Sequence, residues 1–192
     1  MFRYLRNRIN LYKAERSDEG RDEVLDKLFE LWNLIKKKKG NKADTYFNAS
    51  IYILLVNRDI YYLYNLFYFE KKLSKKNFYG RMLSMTIIEY LRDINLIIGR
   101  DMIAEIKKNE WDERLIDDLK KICKSYSTLR NKYNEQLTEV RNKSAAHRTK
   151  DSQRLYHFTK LKFNYLYLIC PVLRLIELDF ERISMKFDQI SD

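Results

Sequence analysis

Residues 111–140 read WDERLIDDLKKICKSYSTLRNKYNEQLTEV, and this stretch decides the fold. Its apolar positions are Leu115, Leu119, Ile122, Tyr126, Leu129, Tyr133, Leu137 and Val140, separated by steps of three and four. With 3.6 residues to a turn, such steps place every one of them on a single stripe of an α-helix. A register held over that length predicts one long helix, starting near Trp111-Asp112 and packed along one seam. A strand would require alternation by two, which is absent.

The same period recurs on both sides. Downstream, Leu155, Phe158, Tyr165, Ile169, Val172, Ile176, Phe180, Ile183 and Phe187 predict a last helix from about Ser152 to Phe187, bent at Pro171. Upstream, Val24, Leu25, Leu28, Leu31, Trp32 and Ile35 predict a helix over about 22–39. Ser17-Asp18 stands before it, Gly40 follows it, and Lys36 to Lys39 suit its negative end. A second helix is predicted from Asp44 to about Leu73. Its apolar residues leave little polar circumference, so it is central or shared with a partner. Ser74 to Gly80 reads as a loop. A third helix is predicted over about 81–107, with Leu83, Ile87, Leu91, Ile94 and Ile98 on one stripe and Gly99 marking a close approach or a bend.

Only four glycines and one proline punctuate the 192 residues, which argues against an architecture of many turns. The expected fold is therefore all-α, a bundle of about five long helices in one domain. Residues 1–40 belong to that domain or extend it as an N-terminal helical segment.

The net charge of +11 points to a polyanionic partner, nucleic acid or an acidic lipid surface, with codon bias as the competing reading. Cys123 and Cys170, the only cysteines, fall at helix-interior positions and form no disulfide framework. Two histidines and two cysteines without close spacing offer no metal site. Met1 to Arg6 lacks an apolar signal core, and Asn57-Arg58-Asp59 interrupts the most apolar segment, so no membrane span is expected. The expectation is a cytoplasmic, reduced protein without a cofactor.

The chemistry gathers where the helix of 111–140 ends: Glu139-Val140-Arg141-Asn142-Lys143-Ser144-Ala145-Ala146-His147-Arg148-Thr149-Lys150-Asp151. Continuing the apolar seam past Val140 reaches Ser144 and His147, so His147 could be a core histidine ending the stripe. Lys143, Arg148 and Lys150 around it argue against a deeply apolar setting. Ser144, Ala145 and Ala146 leave room for a backbone or a ligand. An imidazole beside fixed positive charge is suited to phosphodiester cleavage. His157, between Tyr156 and Phe158, reads as a partly exposed helix residue.

Arg141-Asn142-Lys143-Ser144-Ala145-Ala146-His147 resembles the signature of the HEPN superfamily: an arginine, a polar residue, and a histidine after a short spacer. The all-α setting, with the motif between the last two long helices, resembles that family too, and the flavour is most similar to members of abortive-infection, phage-defence and toxin systems. The resemblance implies a metal-independent endoribonuclease acting as a homodimer, whose two motifs face each other in a composite cleft. It implies that Arg141 binds the scissile phosphate and stabilises the pentavalent transition state, that His147 acts as general base or acid, and that Asn142 positions the site. The products would be a 2′,3′-cyclic phosphate and a 5′-hydroxyl. Lys143, Arg148 and Lys150 are candidates for RNA phosphate contacts. Glu89 and Asp93 are candidates for the acidic residue that members carry on an earlier helix. Thr149 stands where some toxins have a tyrosine, which departs from regulation by modification of that tyrosine. An antitoxin or defence partner protein is the further expectation.

Spacing bears on the pair as well. Arg141 and His147 would be separated by about 9 Å of rise on an ideal helix and would lie on different faces. Either the helix breaks between them or each works with a second subunit. The alternatives are a non-catalytic helical RNA-binding or dimerisation module that keeps the motif, and a plain interaction bundle whose charge is compositional.

Overall fold

The apolar periodicities become helices throughout, and no strand occurs among the described residues. The computed structural model describes residues 20, 22–34, 36–37, 44–145, 156 and 161–188. In chain order the helices are α1 (22–34), α2 (Asp44–Phe69), α3 (Leu73–Leu96), α4 (Ile103–Lys108), α5 (Arg114–Lys132), α6 (Asn134–Ala145) and α7 (Leu166–Asp188), with a π-helical segment, Ile97–Met102, between α3 and α4.

Four of them close a ring: α2 packs on α3, α3 on α5, α5 on α7, and α7 back on α2. Side-chain pairings give the directions. Tyr90 meets Tyr126 and Gly99 meets Cys123, so α3 and α5 run antiparallel. Tyr46 bonds the Ser184 carbonyl while Phe67 packs on Tyr167, so α2 and α7 do too. The result is an up-down four-helix bundle, with α6 continuing the α5 side along α3.

The core is the predicted seams brought face to face. Leu83, Ile87, Leu91, Ile94 and Ile98 of α3 and the π segment are buried, as is every member of the stripe from Leu115 to Val140. At its centre the Tyr90 and Tyr126 hydroxyls share a hydrogen bond of 2.8 Å, each residue 1% exposed, with the rings perpendicular. Desolvation pushes both phenols above their ordinary range, so the pair stays neutral.

The π segment follows from the apolar register. Ile94, Ile98, Met102 and Ile106 are all buried, three successive steps of four. In an unbroken α-helix those steps would carry the stripe about 120° around the axis. A wider turn takes up the extra residue and keeps all four on the core side. Gly99 lies in this turn, and a Cβ there would stand 3.1 Å from the Cys123 sulfur. Of the two readings of Gly99, close approach is the one seen.

Glu105 uses the direction so obtained. Its carboxylate oxygens accept hydrogen bonds from the backbone amides of Thr45 and Tyr46, both at 2.9 Å, in the first turn of α2. The amides lack intrahelical partners and the negative charge meets the positive helix end, so a distant residue caps α2.

The α4 end is closed by a Schellman pair. The Glu110 amide donates to the Lys107 carbonyl and the Trp111 amide to the Ile106 carbonyl, with Glu110 at φ 57°. An L side chain in that region costs about 1 kcal/mol. Glu110→Gly is expected to raise stability by roughly 0.5–1 kcal/mol and Tm by about 2–3 °C. A melt showing Tm unchanged or lower would contradict this account of the turn.

Several boundaries differ from expectation. Residues 74–80 are not a loop: α3 begins at Leu73, and the corner is Glu70 to Lys72, where the Glu70 carboxylate accepts the Lys71 and Lys72 amides at 2.8 Å each. Those bonds hold the Glu70 carboxyl below its usual range. The helix expected to run unbroken through 111–140 breaks at Tyr133 (φ −112°, ψ 15°), which keeps its ring buried beside Tyr165. The last helix begins at Leu166; Tyr156 is also helical, and Ser152, the expected start, lies outside the described residues. Residues 161–163 are not helical, because Phe163 and Tyr165 anchor the chain to α3. Phe163 fills the space over Gly80, and the Tyr165 hydroxyl meets the Ser84 hydroxyl at 2.7 Å. Pro171 does fall inside α7. In α1, Leu25 is buried and Leu28 and Trp32 half-buried, whereas Val24 and Leu31, expected on the apolar face, are exposed. Ile35 lies outside the described residues.

Candidate functional site

Arg141 and Asn142 lie on α6 with exposed side chains, directly after the buried Val140. Helical backbone continues through Lys143, Ser144 and Ala145, so no break occurs in the first turn after Arg141. His147, Arg148 and Lys150 lie outside the described residues, as does His157.

Arg141 stands on the rim of a small cleft between α3 and the α5–α6 side. Leu91 and Leu137, both buried, form its floor with Ile88. The rim carries Arg92 from α3, Arg130 from α5, and Asn134, Thr138 and Arg141 from α6. The α5–α6 members recur at steps of four, four and three, so they share one face. Three guanidiniums and two neutral polar side chains line the cleft, and no carboxylate does.

The acidic residues expected near the motif stand behind this rim. Arg92 donates to both Asp93 oxygens, at 2.7 and 3.0 Å, and its Nη2 lies 2.7 Å from Glu89 Oε2. The Arg92 hydrogen bond holds the Asp93 carboxyl below its usual range, and the two acids hold the Arg92 guanidinium more firmly charged. Glu89 and Asp93 thus reach the Arg141 cleft through Arg92, which they fix in place. Arg130 and Arg141 form no ion pair with another described residue.

What the arrangement can do is bind an anion. Its volume is about 60 Å³, well above the roughly 10–15 Å³ that a cavity needs to hold one water. Its guanidiniums and neutral donors suit a phosphate group. Arg92 as an ion-paired wall, Arg130, Asn134 and Thr138 were not singled out from the sequence. The signal was their shared helical face, invisible until α3 is known to lie opposite.

A second cavity, about 500 Å³, lies between α1, α2 and α7. Its polar part is Arg174, whose Nη1 lies 2.6 Å from the buried Glu177 and 3.0 Å from Glu181. The arginine is neutralised there by two carboxylates, so this cavity lacks the free positive charge of the first. Burial pushes the Cys170 thiol up to about 12 and raises that of Cys123, so neither is a ready nucleophile. Among the described residues no three His, Cys, Asp or Glu side chains come together as metal ligands. No described helix is long and apolar enough to cross a membrane. Comparison with protein-family models, curated proteins and solved structures finds no match for this chain.

Proposed function

We propose that the chain is a metal-independent endoribonuclease of the HEPN type, cleaving RNA by attack of the 2′-hydroxyl on the adjacent phosphate. One observation carries this reading: Arg141 of the motif shares a carboxylate-free cleft with two further arginines, on a chain of net charge +11. In the reaction Arg141 binds the phosphate and stabilises its charge in the transition state, Asn142 orients the strand, and His147 moves the proton of the 2′-hydroxyl or of the leaving oxygen. Lys143, Arg148 and Lys150 contact neighbouring phosphates. The enzyme works as a homodimer in the cytoplasm, in phage defence or as the toxin of a partner antitoxin. Support for a second copy is an exposed apolar row on α7, Leu168, Val172 and Leu175, for which the bundle itself has no use.

The test is incubation of the purified chain with mixed RNA in EDTA, followed by analysis of the new ends. Cleavage leaving 2′,3′-cyclic phosphate and 5′-hydroxyl termini is expected. Cleavage that stops in EDTA and returns with a divalent metal would sink the reading. Intact RNA bound with a steep salt dependence would instead favour the non-catalytic RNA-binding module.

A further inference from the structure

The cleft contains more positive charge than the motif supplies. Arg130 lies on α5, before the break at Tyr133, and Arg141 on α6, after it. On one ideal helix they would be about 16 Å apart along the axis. Both nevertheless line one small cleft, with Asn134 and Thr138 between them in sequence on the same wall.

We propose that Arg130 and Arg141 hold the same RNA phosphate from two sides of this cleft, with Arg92 as its third wall, so that the site grips backbone and not base. The proposal rests on the reading above for its partner, RNA. One observation argues against base recognition: the floor of Leu91, Leu137 and Ile88 offers no hydrogen bond to a base edge. Two argue for a phosphate. Asn134 and Thr138 supply neutral donors between the guanidiniums, and no carboxylate on the rim repels an anion. Arg92, tied to Asp93 and Glu89, cannot swing freely toward a ligand, whereas Arg130 has no ion pair with another described residue. Arg130 is therefore the residue whose loss should be felt.

The experiment titrates the full chain with labelled oligo-uridylate and oligo-adenylate at several salt concentrations. The strands carry 2′-O-methyl groups, which remove the attacking hydroxyl and keep them intact. Wild type is compared with Arg130→Gln, Arg130→Lys and, as a control distant from the cleft, Lys107→Gln. Arg130→Gln is expected to weaken both strands about five-fold and to lower the slope of log K against log salt by about 0.7, one phosphate contact on a single strand. Arg130→Lys should keep the slope, and Lys107→Gln should match wild type. A slope unchanged by Arg130→Gln overturns the proposal, and so does a loss confined to one of the two bases. Wild type that binds anionic phosphatidylserine vesicles but no RNA overturns it as well. The two readings fail separately: unmodified RNA bound but left uncut removes the ribonuclease and leaves the clamp. RNA cut by a wild type that Arg130→Gln equals in affinity and slope removes the clamp and leaves the ribonuclease.

Discussion

Arg141→Ala is expected to slow RNA cleavage by about two to three orders of magnitude, the usual cost of removing one preorganised donor from a developing oxyanion. His147→Ala is expected to slow it by about two to four orders, the range for a lost general acid or base. Neither figure should reflect unfolding in the case of Arg141. Its side chain is exposed on α6, forms no ion pair with another described residue, and sits beside the core without entering it. Its replacement should move stability by no more than about 0.5 kcal/mol. The combination of an intact melting curve and a collapsed rate is what distinguishes a phosphate ligand from a structural arginine. Single-turnover rates in EDTA for wild type and both variants provide the measurement. A His147 variant that cuts as fast as wild type would move any nuclease site away from the motif.

Gly80→Ala should destabilise the bundle by about 2–3 kcal/mol, although a helical glycine replaced by alanine normally gains about 1 kcal/mol. Gly80 is buried in α3, and an added Cβ would stand 2.7 Å from Phe163 Cγ and 2.9 Å from Cδ2. These are ring atoms, and Phe163 is 4% exposed, so the ring cannot tilt into solvent without losing its burial. Expelling it forfeits much of a phenylalanine's core contribution, about 3–5 kcal/mol when a buried Phe is truncated. The damage should spread. Phe163 and Tyr165 together lead the chain into α7, and Ser84, which bonds Tyr165, also donates to the Gly80 carbonyl at 2.6 Å. Urea denaturation of Gly80→Ala, Phe163→Leu and the double variant tests this directly. The double variant should recover part of the loss, because the smaller side chain leaves room for the methyl group. A Gly80→Ala protein as stable as wild type would mean that Phe163 has another place to go.

Gly80 also shows where the sequence was misread. Read locally it ends a loop, yet the glycine serves a ring that arrives from 83 residues further along the chain. Periodicity could not report that, because it describes one helix at a time. For the same reason the seams were legible and the break at Tyr133 was not. The apolar stripe runs through Tyr133 without interruption, and only the neighbouring Tyr165 ring explains why the backbone departs there. The candidate site divides along the same line. Arg141 and Asn142 came from the resemblance carried by one short local motif, and Glu89 and Asp93 as candidates for the acidic residue that the resemblance implies. Arg92 and Arg130 became relevant only once α3 lay opposite α5 and α6. The histidine half of the motif lies outside the described residues, so its part rests on the resemblance and on the variants above.

The π turn at Ile97–Met102 behaves as a vernier for the helix that follows it. With one residue fewer in that turn, residue 105 would point about 100° further round the axis. Glu105 would then no longer face the open amides of Thr45 and Tyr46. The extra residue of this turn thus couples how α3 fills the core to how its extension clasps the first turn of α2. Length changes here should be read as changes of aim, not merely of spacing.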